Sequence, residues 1–551
     1  MPELIQTLTR ELDWDRESDV VVVGGSVAGF TVAVHTAELG ARTLILEKAD
    51  AVGGTARKAA AWMWVPNNHF MQEKGIPDSR TDALRYLARM ARPALYDEAH
   101  PTLGVADWEY ELFEAFYDTA GTALRALEEL GALRLVHLED IPNYYSHHPV
   151  DRVPTGRVVL PALENGEPGD GVEFMRQIEA AAAVRGVEVE TGHRIEGVFL
   201  DGDGAVVGVS ARTKDGVARV RARRGVVFCC GGFSHDEELR RGHLGGLLLA
   251  GCAARTNEGD FVRIMRRLGV PLFNMHAAYM APVLLEQARR GDPEISGVFS
   301  VPGDSLIVVN KEGVRVGNEK TTYNDRTMPH LLFDVGRAEY GNFLLFPVWD
   351  QRSTDLYPGT AYGTFIPEPD GDWSAVVSGD TLEELAAALD ARLASLGSDA
   401  RGIRLADGFV PALERTIERF NGFARTGKDE DFGRGDAPIE LVFHGEIKQN
   451  PYPNGLLHPI SDRGPYYATI LAPSAIETKG GPRATAQGQI VGADDAPIPG
   501  LYGVGNCVAS PSGQAYLAGG ATFGPIVAFA YLAAQSIVAE PVREIGAAAI
   551  A

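Results

Sequence analysis

Cysteine is scarce in this chain, with four in 551 residues: Cys229, Cys230, Cys252 and Cys507. None has zinc-type spacing, and there is no C-x-x-C-H haem run and no set of cysteines for an iron–sulfur cluster. Cys229 and Cys230 are adjacent and would bridge only under strain. The four therefore read as small buried residues of a reducing compartment. Positive charge is also short. The 51 Lys+Arg against 74 Asp+Glu leave a net charge of −23, which repels phosphate backbones and argues against nucleic-acid binding as a main role. Long apolar runs are missing too. The stretch Ile526 to Val538 is too short to span a bilayer and reads as a buried helix. The start, MPELIQTLTRELDWDRESD, is polar and acidic, unlike a secretory signal. A cytoplasmic protein with no transmembrane segment is expected. What is plentiful is glycine, 63 residues, which suits tight turns and close backbone approach to a ligand. Apolar residues at 45% and charged residues at 23% are ordinary for a globular protein and exclude disorder.

The first strong pattern is Asp19-Val20-Val21-Val22-Val23, a β-branched run of the kind that forms a buried parallel strand. It enters Gly24-Gly25-Ser26-Val27-Ala28-Gly29. A helical stretch from Phe30 to Leu39 follows, and then a second strand, Thr43 to Leu46, closing on Glu47. That is one βαβ unit opening a doubly wound sheet. Helices are expected over about 108–130 and over 171–186, and an antiparallel meander over 187–222. A further buried strand is expected at Gly225 to Cys230. Residues 284–439 change to aromatic and Pro-rich loops with helices near 381–396 and 409–425, and 440–551 return to glycine-rich αβ texture. The expected fold is α/β: a discontinuous Rossmann-like dinucleotide-binding domain, residues 1–283 and 440–551, with an inserted α+β substrate or capping domain, 284–439.

A glycine-rich turn between strand and helix brings backbone N–H groups to a pyrophosphate. Here Gly24 makes the turn, Gly29 lets helix and strand pack closely, and Ser26 takes the usual middle glycine position. Glu47, eighteen residues beyond Gly29, is placed to accept ribose hydroxyls. A second glycine-rich strand end, Gly500-Leu501-Tyr502-Gly503-Val504-Gly505-Asn506, fits a flavin extended across the domain better than NAD.

These segments, together with EKADAVGGTARKAAAWMWVPNN, VVFCCGGFSHD, NEGD, GVRVGNEKTTYND, DFGRG, GPYYATILAPSAIETKGGPRATAQGQIV and IPGLYGVGNCVASPSGQAYLAGGATFGPIVAFAYLAA, resemble the fumarate reductase/succinate dehydrogenase flavoprotein superfamily. Within it they resemble the 3-ketosteroid Δ1-dehydrogenases. The resemblance runs from residue 19 to 535. It implies FAD contacts at Gly24, Gly25, Ser26, Ala28, Gly29, Glu47, Lys48, Gly53, Gly54 and Thr55, and at Ala60, Ala61, Ile195, Gly231 and Asp260. It also implies contacts at Gly505, Asn506, Gly524, Pro525 and Ile526, with Gly524-Pro525 preceding an apolar helix whose positive end faces the flavin ring. Ala59-Ala60-Ala61 replaces the family's Ser-Gly-Gly, making the flavin face bulkier. No His lies between Glu47 and Asn68 to tether FAD, so non-covalent FAD is expected.

For the reaction, the resemblance implies desaturation of a ring ketone. A base takes the α-proton, flavin N5 takes the β-hydride, and donors hold the carbonyl oxygen. Tyr516 and the Gly520 N–H fall on the carbonyl donors, Tyr323 on the base, and Tyr144 on the tyrosine supporting that base, with Tyr145 one residue away. Taken singly, any of the 17 tyrosines reads as a packing residue. His147-His148 reads as a solvated loop at the pocket rim, not a metal site. Arg434 reads as a structural ion-pair residue, and Trp62-Met63-Trp64 as core that can wall the pocket. A fumarate reductase needs a carboxylate-clamping arginine where this chain has Tyr516 to Gly520, and none is there. A flavin-bearing subunit without its own substrate is a third reading, and a Δ4-dehydrogenase of 5α-3-ketosteroids is the nearest rival. The expected partners are a steroid or other cyclic ketone and an external quinone or carrier as electron acceptor, with a monomer preferred.

Overall fold

The computed structural model describes residues 5–8, 12–290, 295–359 and 363–543. The valine run forms the strand Arg16–Val23 at the centre of a parallel core. Thr43–Leu46 flanks it on one side and the second half of Gly216–Phe228 on the other, both parallel. Glu188–Glu190 extends one edge and Pro497–Gly503 the other. Alternation along the strand explains why valine is used at every position. Val20 and Val22 face the helical layer with Phe30 and Val34 of the helix Val27–Glu38 and Val527 and Ala530 of the helix Phe523–Ala539. Val21 and Val23 face the opposite layer with Ile195, Val209 and Phe261. A strand covered on both faces reads as a continuous apolar run.

Two local expectations are corrected, and one strand is found where none was assigned. Residues 188–190 do not join the meander; they pair in parallel with Thr43–Leu46. The meander consists of Arg194–Leu200, Val206–Thr213 and the first half of Gly216–Phe228. The strands expected at 216–222 and 225–230 are one strand, Gly216–Phe228, which pairs with Arg16–Val23 on both sides of an irregularity between Ala222 and Gly225 and stops before Cys229. Finally, the polar start contributes a strand, Ile5–Thr7, parallel to the sheet edge at Val198–Leu200. Three residues held only by an edge ladder leave no periodic signature to read.

The expected helices are present as Asp107–Glu129, Gly171–Val184, Leu382–Leu396 and Phe409–Thr426. The last two cover a four-stranded antiparallel sheet of Leu306–Val309, Phe346–Asp350, Tyr466–Ala468 and Val377–Gly379. Ile307, Phe346, Leu389 and Phe420 share its core with Leu457, Ile460 and Ala468, so this unit draws chain from both sides of residue 440. The chain leaves and re-enters the glycine-rich portion along one antiparallel ribbon, Ala278–Leu284 against Leu471–Thr478.

Candidate active site

A cavity of about 990 Å³ opens between the glycine-rich turns and the second unit. At one end, Gly24, Ser26 and Ala28 line it with Glu47, Lys48 and Ile195, and Gly231 and Asp260 close it. Ser26 is the N-cap of a 12-residue helix but makes no side-chain cap. Its hydroxyl instead donates to Gly53 O at 3.0 Å, and Gly53 N–H donates to Gly25 O at 2.6 Å. The two glycine loops are thereby stitched together. The first N–H groups of the helix are left without a side-chain cap at the cavity wall, which suits an anionic pyrophosphate. Gly29 stands behind this wall, where a Cβ would lie 1.9 Å from Gly24 O. The Glu47 carboxylate accepts Gly25 N–H and Ala49 N–H, each at 2.8 Å, which fixes its orientation and leaves lone pairs for further donors. Lys48 Nζ is turned to Asp260 at 2.7 Å and Glu258 at 3.1 Å, and Arg194 also donates to Asp260, at 2.6 Å.

The middle of the cavity is lined by Gly54, Thr55, Ala60, Ala61, Gly505, Asn506 and Ile526. Ala61 sits at φ +54°, the left-handed region that glycine occupies at no steric cost. The alanine is therefore a backbone strain as well as added bulk. Gly25, Gly29, Gly53, Gly524 and Pro525 do not line the cavity. Gly524 and Pro525 do not precede the last helix; they are inside its first turn, since it starts at Phe523. First-turn N–H groups have no helical acceptor, so proline is tolerated there.

At the other end, Tyr144, Tyr323 and Tyr516 meet. They come from a loop before Tyr145, from the start of the short helix Tyr323–Thr327, and from the irregular stretch before Phe523. Tyr144 and Tyr323 hydroxyls are 2.7 Å apart. Tyr516 has its ring centroid 5.5 Å from each of the other two. All three are at least nine-tenths buried. Burial, with the neighbouring phenols second, pushes Tyr323 and Tyr144 well above the ordinary tyrosine value. Burial also raises Tyr516. Gly520 lines the same end at φ +89°, and its carbonyl accepts Trp64 N–H at 3.0 Å. Among the described residues no acceptor takes its N–H. A Cβ at Gly520 would lie 2.4 Å from the carbonyl carbon of Trp62, so only glycine fits.

Other residues fall into place around these. Tyr145 does not face Tyr323; its hydroxyl donates to Asp325 at 3.0 Å. Trp62 lines the cavity while Met63 and Trp64 are core, with Trp64 Nε1 donating to Asn143 at 2.7 Å. His147 is exposed, and neither it nor His148 lines the cavity. Arg434 is fully buried, donating to Leu306 O at 2.8 Å and standing 3.5 Å from Glu319. Sequence reasoning missed Tyr279, whose ring is 4.9 Å from Tyr516, and Phe443, 5.6 Å from both Tyr144 and Tyr323. It also missed Arg326, one helical turn beyond Tyr323, whose guanidinium donates to Val298 O and Phe299 O at 3.0 and 2.7 Å. Tyr279 lies in the strand Ala278–Leu284, Phe443 in the helix Ile439–His444 and Arg326 in the helix Tyr323–Thr327, and a single aromatic or basic residue in such a short element carries no spacing that would single it out.

The family described as "FAD binding domain" matches residues 19–523, and the chain belongs to it. The glycine cradle, the uncapped helix start and the volume of the cavity fit FAD, and the protein is an FAD-dependent oxidoreductase. The 4-oxocyclohexanecarboxylate 2-dehydrogenase of Sinomonas cyclohexanicum is 29% identical over 95% of this chain and 93% of its own length. The 3-oxosteroid 1-dehydrogenase of Mycolicibacterium smegmatis is 29% identical over 95% of this chain and 98% of its own. The fold is that of the 3-ketosteroid Δ1-dehydrogenase from Sterolibacterium denitrificans in complex with 1,4-androstadiene-3,17-dione, with a TM-score of 0.78 at 24% identity, covering 95% of this chain and all of that one. The resemblance read from the sequence is what these comparisons find.

FAD is expected to be held without a covalent bond. The motivation is the stretch Glu47 to Asn68, which contains no histidine. Acid precipitation should leave the yellow colour in the supernatant; colour retained in the pellet contradicts the expectation.

Proposed function

We propose that the protein introduces a C=C bond α,β to a ring ketone, with Δ1-dehydrogenation of 3-ketosteroids as the reaction. Desaturation of cyclic ketones is the chemistry named for its relatives, steroid and cyclohexanone alike. The observation that carries the reading is the contact of three buried tyrosines beside the unpaired Gly520 N–H. The FAD contacts assigned from the sequence, the division of the chain into an FAD-binding and a capping portion, and the tyrosine roles below are parts of the same reading.

FAD, when bound, supplies the two-electron oxidant. The Tyr516 hydroxyl and Gly520 N–H hold the ketone oxygen and stabilise it as it becomes enolate-like, which acidifies the α C–H. Tyr323 takes the α-proton as that C–H bond breaks. Tyr144, 2.7 Å away, supports Tyr323 as the base by hydrogen-bonding to it and fixing its orientation. Aromatic faces of Tyr279 and Phe443 wall the space with apolar surface, suited to a hydrocarbon ring system. The reading includes an external quinone or soluble carrier as electron acceptor, a monomeric chain and a cytoplasmic location. Among the described residues no helix is long and apolar enough to cross a membrane.

A base that must be deprotonated to act, and that burial holds above its ordinary value near 10, is scarce in its active form at neutral pH. Flavin reduction by ketone is therefore expected to quicken steadily as pH rises from neutral into the alkaline range. Stopped-flow measurement across that range checks this, and a plateau below neutrality contradicts it. The function itself is tested by an anaerobic panel: a 4-ene-3-ketosteroid, a 5α-3-ketosteroid and 4-oxocyclohexanecarboxylate. Bleaching of the flavin by the first, with a 1,4-dienone as product, supports the proposal. Bleaching only by the 5α-steroid with a 4-ene product moves it to Δ4 chemistry. Bleaching only by the carboxylate moves it to small ring ketones, and no bleaching by any ketone overturns it.

A further inference from the structure

Tyr516 lies in a stretch between Gly503 and Phe523 that forms neither strand nor helix. A phenol expected to meet a ketone oxygen needs its backbone held by something else. On the C-terminal side, Leu517 O accepts both the Tyr86 hydroxyl at 2.6 Å and Tyr144 N–H at 3.1 Å. On the N-terminal side the holding group is Lys479. It follows the strand Leu471–Thr478 and is completely buried. Its Nζ donates to Gly513 O at 3.1 Å and to Ala515 O. The same ammonium stands 4.2 Å from the centroid of the Tyr279 ring, and that ring is 4.9 Å from the ring of Tyr516. Lys479 is also fixed through its own backbone: its N–H donates to Ala277 O at 3.0 Å, and its carbonyl accepts Ser510 N–H at 2.9 Å.

We infer that Lys479 is a positioning residue for Tyr516, setting the phenol's approach to the substrate carbonyl through the 513–515 backbone and the Tyr279 ring. This rests on the ketone-desaturase reading. A buried amine is a costly way to satisfy two carbonyls unless the geometry it enforces matters. Burial, with Arg92 nearby, lowers Lys479 to about 7, so near neutrality the amine is partly neutral, and in either form it keeps N–H donors for the two carbonyls. An apolar residue of similar length would fill the volume but leave both carbonyls unpaired and the ring face without its cation.

The test is a double-mutant cycle on flavin reduction by ketone, using Lys479→Met, Tyr516→Phe and the double variant, all as FAD-loaded protein. Lys479→Met is expected to lower the limiting rate by between about tenfold and the about 10²–10³ that a lost oxyanion donor costs. The effect should fall on kcat more than on KM. In the Tyr516→Phe background the lysine substitution should have almost no further effect, because the hydroxyl that Lys479 positions is already gone. Multiplicative losses in the double variant, or a normal rate in Lys479→Met, overturn the proposal. Lys479→Gln, whose amide can serve one of the two carbonyls, carries the same cycle if Lys479→Met does not accumulate. Hydrogen exchange supplies an arm independent of activity. Faster exchange confined to residues 512–520 supports the positioning role; faster exchange along Leu471–Thr478 with loss of FAD marks Lys479 as a core residue and overturns it. If wild type itself reduces no flavin with any ketone, the functional reading falls, while the exchange arm still decides whether Lys479 holds the loop.

Discussion

Tyr323→Phe should lower the rate of flavin reduction by about 10²–10⁴-fold, the range a general base contributes, while FAD content stays that of the wild type. The ring keeps its packing against Tyr144, Phe443 and Phe299, whose centroids lie 4.9–5.8 Å away, so only the proton acceptor is lost. The pH profile makes the assignment sharper. If Tyr323 is the group whose deprotonation drives the alkaline rise, the variant's residual rate should be flat over the same range. Tyr144→Phe should cost less, because its hydroxyl acts on the base at 2.7 Å and not on the substrate. It should leave the alkaline rise in place, since Tyr323 remains the group that titrates. Stopped-flow traces of flavin bleaching measure all three. A near-normal rate in Tyr323→Phe removes it as the base, and loss of FAD from the variant makes the tyrosine structural.

Tyr516→Phe and Gly520→Ala address the other half of the site, and each is expected to lower flavin reduction by about 10²–10³-fold, the cost of a lost oxyanion donor. The two substitutions act differently. Tyr516→Phe deletes a donor and leaves the backbone untouched. Gly520→Ala keeps its N–H but displaces it, because the new Cβ would lie 2.4 Å from the Trp62 carbonyl carbon and φ is +89°. Backbone of that conformation costs about 1–2 kcal/mol for a residue with a side chain, so Gly520→Ala should also unfold at lower temperature while Tyr516→Phe should not. If both donors hold one oxygen, binding of a dienone product, read from its perturbation of the flavin spectrum, should weaken in both variants. Undiminished reduction in Tyr516→Phe would remove the tyrosine from the carbonyl site.

The parallel core was legible because local chemistry dictates it. A run of valines, a glycine turn and an apolar helical stretch admit few other arrangements, and the strand Arg16–Val23 is where Asp19 to Val23 places it. The misread segments are those whose state depends on a distant partner. Glu188–Glu190 has the composition of a meander strand, yet Thr43–Leu46 offers it an open parallel edge. Gly216–Phe228 carries two strand patterns in one strand because, on the edge away from Arg16–Val23, its first half pairs antiparallel with Val206–Thr213 and its end pairs parallel with Pro497–Gly503.

By itself the sequence determined the glycine-rich end of the cavity. Gly24, Ser26, Gly29 and Glu47 lie within one βαβ unit, where spacing along the chain is spacing in space. Through the resemblance its motifs also singled out the three tyrosines and implied that they share one site, but no spacing in the chain dictates their meeting. Tyr144, Tyr323 and Tyr516 are hundreds of residues apart, and only packing of the second unit against the first brings two hydroxyls to 2.7 Å. Only the tertiary structure decided what surrounds them: Tyr279, Phe443, Arg326 and the buried Lys479. The physical reason is that a loop has no period. What holds the Tyr516 backbone in place is a set of hydrogen bonds from side chains of other elements, and such donors leave no trace in the loop's own sequence.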